Sequence, residues 1–230
     1  MEFLPNRITL DASDGAFPLS TDSMVLGHFA RLPKNASVLD LGSGCGTLGL
    51  LLCSKDPNCS VTGLEIDERA HRAAEENIRR NALQDRMVSI CTDLRSVSAR
   101  FSPGSFSCCI SNPPYFSGGP ASAAFTAARR EDTCTPEDLF RAAGWALKYG
   151  GDFFLVHRPE RLAELISRAA EQKLEAKQLL LLRHREAGPI SLVLLAFRKG
   201  AKPGLIIEEA SLFDPSGNPT PFYRDVYHLL

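Results

Sequence analysis

The sequence contains no Cys-x-x-Cys and no His-Glu-x-x-His, and its five histidines are dispersed, so neither a zinc ribbon nor a zinc hydrolase is written into it. Seven cysteines, Cys45, Cys53, Cys59, Cys91, Cys108, Cys109 and Cys134, are an odd number without paired spacing. They read as reduced thiols filling a cytosolic core, not as a disulfide framework. Neither sign of charge is in excess: 26 Lys and Arg against 27 Asp and Glu leave a formal net charge of -1. Global attraction to phosphate polymers is therefore absent, and a nucleic-acid partner would have to be met by a local basic patch. Long apolar runs are missing as well. LGLLLC is far too short to span a bilayer, and MEFLPNRITLDASDG lacks a basic segment followed by an apolar one. The expectation is a cytoplasmic protein without a membrane segment or a metal.

What is present is enough apolar material, 44% of 230 residues, for one full core. No internal repeat or low-complexity tract interrupts it. From Ser37 onward short apolar runs alternate with longer amphipathic stretches, the pattern of βα units laid into a parallel sheet. SVLDLG, SVTGLEI, MVSICTD, SFSCCISN and GDFFLVH read as five strands. Residues 47–55, ERAHRAAEENIRRNAL, PEDLFRAAGWALKYGG and RPERLAELISRAAEQ read as helices, the third stopped by its Gly-Gly and the last opened by Pro159. AKQLLLLR and ISLVLLAFR, parted by a turn with Gly188 and Pro189, read as an antiparallel pair completing the sheet. The organisation expected is an N-terminal appendage over 1–34, an α/β domain over 35–200 and a packed tail over 201–230. GGPASAAFTAARRED, from Gly118 to Asp132, is too long for a simple turn and is a lid candidate.

VLDLGSGCG places Asp40-x-Gly42-x-Gly44-x-Gly46 where the first strand gives way to a helix. Glycines there let the backbone turn tightly and approach a ligand more closely than a Cβ allows. A dinucleotide fingerprint would need glycine at position 47, which is Thr47, and no phosphate-cradling Gly-Lys-Ser/Thr follows. The pattern suits an S-adenosylmethionine loop better, although such turns also serve packing. Glu65, at the end of the second strand, is placed to accept two ribose hydroxyls, and Asp67 reads equally as a helix cap. Asp93 closes the third strand. Three acids thus end three parallel strands, at the edge where open α/β sheets bind ligands.

SNPPYF, Ser111 to Phe116, ends the fourth strand. Proline cannot continue a central strand and holds the residue before it extended, so Asn112 is fixed with its amide beyond the sheet edge. A planar exocyclic nitrogen is a poor nucleophile because its lone pair is delocalised. If the Asn112 side-chain oxygen and the Pro113 carbonyl each accept one N–H, that lone pair is freed and aimed. Tyr115 would stack on a flat substrate. The bland reading of the same residues is a strand-ending turn with a buried tyrosine.

Together these residues resemble class I S-adenosylmethionine-dependent methyltransferases with an Asn-Pro-Pro-Tyr motif. Within that group the chain is most similar to the bacterial family that methylates N6 of the adenine beside the anticodon of a valine tRNA; PLSTDSMVLGHFA, the AARRE segment, LVHRPERL and GLIIEEASLF also have counterparts there. The resemblance implies a Rossmann-like, seven-stranded, mostly parallel sheet with an antiparallel C-terminal pair and helices on both faces. It implies S-adenosylmethionine held by Asp40, Gly42, Gly44, Gly46, Glu65 and Asp93, with Thr21 and Asp22 near the methionine end. Asn112, Pro113 and Tyr115 would position the target nitrogen, with Pro114, Phe116, Arg129 and Arg130 on the RNA, most simply a tRNA. Further basic candidates are Arg183-His184-Arg185 and Arg198-Lys199 with Lys202. Ribosomal-RNA guanine-N2 and protein-glutamine N5 methyltransferases share the motif and remain alternatives, as does a non-catalytic S-adenosylmethionine-binding RNA module.

Overall fold

A computed structural model describes residues 2–3, 8–11, 19–113 and 134–227. The runs read as strands in the sequence line up side by side as β3 (Ser37–Leu41), β4 (Ser60–Glu65), β5 (Met87–Cys91), β6 (Phe106–Ser111), β7 (Leu147–His157), β8 (Leu174–Arg185) and β9 (Ile190–Lys199). With β10 (Ile206–Phe213) they form an eight-stranded sheet of order β10-β8-β9-β7-β6-β3-β4-β5. The pairs β7–β9 and β8–β9 are antiparallel and all other neighbours are parallel. β10 is an addition to the expected sheet: the segment read as a packed tail supplies an eighth strand, parallel to β8, anchored by buried Leu212 while Ile206 and Ile207 stay exposed. A separate two-stranded ladder joins β1 (Glu2–Phe3) to β2 (Thr9–Leu10).

Helices cover both faces. On one lie α1 (Thr21–Phe29), α2 (Thr47–Lys55), α3 (Glu68–Arg80) and α7 (Pro221–Tyr227); on the other lie α4 (Val97–Arg100), α5 (Pro136–Ala146) and α6 (Leu162–Glu171). Strand alternation feeds the two cores, as β7 shows by sending Phe154 and Val156 to the first and Phe153 and Leu155 to the second. Helix α5 opens on a capping box of Thr135 and Asp138 with Pro136 behind it. It ends at Ala146, short of the Gly150-Gly151 stop expected from sequence, because Leu147 is already extended and paired with Phe106 of β6. Lys199 Nζ satisfies the freed carbonyls of Gly144 and Leu147, both at 2.7 Å.

The N-terminal segment is part of the fold. Ser20 caps α1 by accepting from the Ser23 N–H. At the other end, Lys55 Nζ of α2 donates to the carbonyls of Gly27 (3.2 Å), His28 (2.9 Å) and Ala30 (2.8 Å). A cation on orphan carbonyls at a helix C-terminus is favourable on both hydrogen-bond and dipole grounds. Gly27 lets the two helices close up, since a Cβ there would lie 3.2 Å from Leu51 Cδ1.

Two carboxamides one turn apart, Asn77 in α3 and Asn81 at its C-cap, hold the strand at β2. Asn81 accepts from the Thr9 N–H (2.8 Å) and donates to the Thr9 carbonyl (2.8 Å). Asn77, wholly buried, does the same for Asp11 (2.9 and 3.0 Å) and also donates to the Cys45 carbonyl at 3.1 Å. Asn77→Ala removes those three hydrogen bonds at one buried side chain, at a cost of about 1–3 kcal/mol. Urea unfolding is expected to show that loss, and hydrogen exchange to show the Asp11 amide losing protection while β6 keeps its own.

Candidate active site

Strands β3 to β7 run in parallel, so their carboxyl ends share one edge of the sheet. The chain leaves β3 toward β4 and β5 and leaves β6 toward β7, so the connections diverge between β3 and β6, where open sheets have their ligand crevice. Pairing of β3 with β6 ends at Asp40 and Ile110. Just beyond, the buried Ser111 hydroxyl donates to the Leu41 carbonyl at 2.6 Å, replacing the ladder bond the parting strands lose.

The glycine-rich turn sits on one side of this crevice. Its start is pinned by the Gly42 and Ser43 N–H groups on the Leu64 carbonyl (3.0 and 2.9 Å). Gly42 and Gly44 have φ of +78° and +55°, and a Cβ on either would meet nothing within 4 Å. Side chains at these two positions would be strained and would fill the open space a ligand needs. Gly46 differs: its φ is +86°, but its Cβ would lie 2.9 Å from Met87 Cε and 3.5 Å from Ala74 Cβ, so it serves helix packing. Glu65 braces the turn, accepting from the Gly44 N–H (2.7 Å) on one oxygen and the Asp67 N–H (2.8 Å) on the other. A carboxylate has about four acceptor sites, which leaves room for two hydroxyl donors. Asp67 is the N-cap of α3, the alternative weighed for it from sequence.

Asp40 lies wholly buried beneath the turn, and neither of its oxygens has a hydrogen-bond partner of normal geometry among the described residues. Burial, and then the neighbouring Glu65 carboxylate, push its pKa up to about 8, with the Gly49 N–H at the start of α2 opposing them. Asp93 caps the short turn before α4 and pairs with Arg95, whose guanidinium holds that carboxyl below the usual range.

Across the crevice stand Asn112, partly exposed, and Pro113, buried. The first turn of α1 abuts them. Asn112 Nδ2 donates to Ser23 Oγ at 3.0 Å, and the Ser20 hydroxyl donates to the same oxygen at 3.2 Å. Thr21 Oγ1 accepts from Tyr227 of α7 at 3.3 Å. Asp22 is raised by burial, against the pull of Arg158. Pro114, Tyr115, Phe116, Arg129, Arg130 and the lid candidate at 118–132 lie outside the described residues.

Ser23, Ser111 and Tyr227 were not singled out from sequence, being tied to the site by contacts across 70 residues or more. Ser20 did carry a local signal, since a hydroxyl residue just ahead of a helical stretch marks its start, and Ser20 is the N-cap of α1. The two basic clusters separate by topology. Arg183-His184-Arg185 ends β8, which runs parallel to β6 and therefore finishes at the crevice edge. Arg198 and Lys199 end β9 at the opposite edge, where Arg198 pairs with Asp152 (2.8 Å) and Lys199 closes α5. Among the described residues no cluster of His, Cys, Asp or Glu is arranged to hold a metal ion, and no helix is long and apolar enough to cross a membrane.

The family model "Methyltransferase small domain" matches residues 20–178. A tRNA1(Val) (adenine(37)-N6)-methyltransferase of Pectobacterium carotovorum subsp. carotovorum (strain PC1) is 34% identical over 191 residues, covering 81% of this chain and 76% of the relative. One of the same name from Shewanella halifaxensis (strain HAW-EB4) is 28% identical over 201 residues, covering 80% and 81%. The crystal structure of a predicted O-methyltransferase from Agrobacterium tumefaciens superposes with a TM-score of 0.76 at 21% identity, covering 90% of this chain and 96% of that one. At that identity the likeness speaks for the fold.

The buried acid has a consequence for stability. Its carboxyl has a reference pKa of 3.8 and a folded value of about 8. Between those values the native chain holds a proton that the unfolded chain has released, so this group's contribution is full below pH 4 and is lost as pH rises to 8. Asp40→Asn removes the dependence. The stability of Asp40→Asn relative to wild type is expected to rise between pH 4 and 8, by at least about 1 kcal/mol, and to level off above it, read from urea midpoints across that range.

Proposed function

The chain belongs to the methyltransferase small domain family, and from that premise we propose that it transfers a methyl group from S-adenosylmethionine to the exocyclic N6 of an adenine in tRNA, beside the anticodon. The observation that carries the reading is Asn112, held next to Pro113 just past the end of β6, beside the parallel strand β3 whose end leads into the open Gly42–Gly44 turn. The relatives named for adenine-N6 methylation of tRNA supply the substrate class.

When bound, S-adenosylmethionine supplies an electrophilic methyl group on a sulfonium cation. The open space beside Gly42 and Gly44 and the spare acceptor sites of Glu65 fit such a ligand, the carboxylate taking the ribose hydroxyls. Asp93 would take the adenine amine, in competition with Arg95. Asn112 Oδ1 and the Pro113 carbonyl accept the two N–H groups of the target amine, turning its lone pair out of conjugation and toward the methyl carbon. Tyr115 is assigned to stack on the base. With the donor held there, the amine nitrogen would take the methyl group as the S–C bond breaks, and the amine's surplus proton would pass to water. Orientation is what this clamp contributes, so no strong base is required.

Asn112→Ala removes an acceptor aimed at the reacting nitrogen. Transfer to tRNA is expected to fall on the order of a hundredfold or more while the S-adenosylmethionine Kd, measured by calorimetry, stays within about twofold. Equal losses in both would count against the clamp. Wild-type protein that labels ribosomal RNA or protein but not tRNA would move the substrate, and binding without transfer would leave only a binding module.

Topology puts the exposed Arg185 at the crevice edge, which this reading makes the side that meets RNA, and Arg198 at the opposite edge. Arg185→Glu is expected to raise the KM for tRNA several-fold and to reduce the salt slope of binding by about one. Arg198→Glu should leave both unchanged, as steady-state kinetics at varied salt will show.

A further inference from the structure

A carboxamide has two faces of opposite character, an oxygen that accepts and an NH₂ that donates. The clamp works with only one of them. Turned by half a rotation, Asn112 would present N–H groups to the N–H groups of an amine, a donor-to-donor contact that repels substrate and leaves its lone pair conjugated. Pro113 fixes the backbone, but a terminal amide torsion is broad and two-fold, so backbone rigidity does not choose between the faces.

We propose that Ser23 is the positioning residue that makes the choice. Its Oγ lies 3.0 Å from Asn112 Nδ2, across 89 residues of sequence, and the residue is buried, with 7% of its surface accessible. Ser23 Oγ is used as an acceptor twice: Asn112 Nδ2 donates to it at 3.0 Å and the Ser20 hydroxyl at 3.2 Å, while Ser20 Oγ takes the Ser23 N–H at 3.2 Å. Ser20 is in turn fixed as the N-cap of α1. The order of dependence runs from helix cap to serine to carboxamide, and its result is that Asn112 Oδ1 is the atom left for the substrate. No described residue donates to that oxygen. The inference rests on the proposed amine-methylating role of Asn112 and adds what sets its orientation.

Ser23→Ala removes one hydrogen bond from a partly exposed amide, which corresponds to about a fivefold to tenfold change. The expected signature is a fall in kcat of that size, with the S-adenosylmethionine Kd and the tRNA KM within about twofold. Ser23→Thr, which keeps the hydroxyl, should recover most of the rate. In the Asn112→Ala background, single-turnover transfer should lose nothing further on adding Ser23→Ala, because the group being oriented is gone. An unchanged kcat in Ser23→Ala, or losses that multiply in full in the double variant, would overturn the proposal.

Should the double variant fall below detection, the amide itself can be read. The Nδ2 proton signals of Asn112, identified by their loss in Asn112→Ala, are expected to shift and exchange faster in ¹⁵N-labelled Ser23→Ala than in wild type; identical signals would overturn the contact. The two readings fail separately. A wild type that binds S-adenosylmethionine yet methylates no tRNA sinks the substrate assignment, whereas an active wild type indifferent to Ser23→Ala sinks only the positioning role.

Discussion

Parallel strands whose connections leave in opposite directions must stop sharing hydrogen bonds where they part, and the candidate site of this chain is built around that parting. Between β3 and β6 the ladder ends at Asp40 and Ile110, and a single side chain, Ser111, bonds the buried Leu41 carbonyl just beyond. On one side the backbone turns through Gly42 and Gly44 with room for a ligand; on the other it is locked by Pro113. The gap therefore has one wall that approaches and one wall that holds still. A donor and an acceptor need that combination if they are to meet at a defined distance.

The crevice needs a third wall, and α1 provides it. This helix is clamped at its C-terminal end by Lys55 and at its N-terminal end by Tyr227, while Gly27 brings it onto α2. Its first turn carries Thr21, Asp22 and Ser23 to the end of β6. Residues near both ends of the chain thus reach the candidate site through contacts between side chains far apart in sequence. The buried acid beneath the glycine turn belongs to the same design: a carboxyl with no partner of normal geometry sits at the start of α2, where helix N–H groups and any bound cation favour its charged form.

Much of this was legible in the residues because it is local. Glycines 42, 44 and 46 mark a turn, alternating apolar runs mark β3 to β9, and residues 47–55 form α2 with the expected bounds. Where the reading stopped, a tertiary cause is at hand. Helix α1 is buried nearly all round, from Ser23 through Gly27, so it lacks the one-sided apolar stripe that identifies a helix from sequence. Strand β10 begins with exposed Ile206 and Ile207 after a glycine and a proline, and only its pairing with β8 makes it a strand. Gly46 has the same residue type and spacing as Gly42 and Gly44, yet it faces Met87, a distinction that depends on what packs opposite. The Ser23–Asn112 contact spans 89 residues and leaves no local trace.

The extra strand changes the dimensions of the working rim. Because β10 runs in the same sense as β8 and β6, its carboxyl end joins theirs, and the rim from Asn112 reaches outward across β7, β9, β8 and β10. At about 4.8 Å per strand that reach is roughly 19 Å. A sheet that ended at β8 would offer one step less. The C-terminal strand acts in this sense as a ruler, setting how far the rim extends beside the gap.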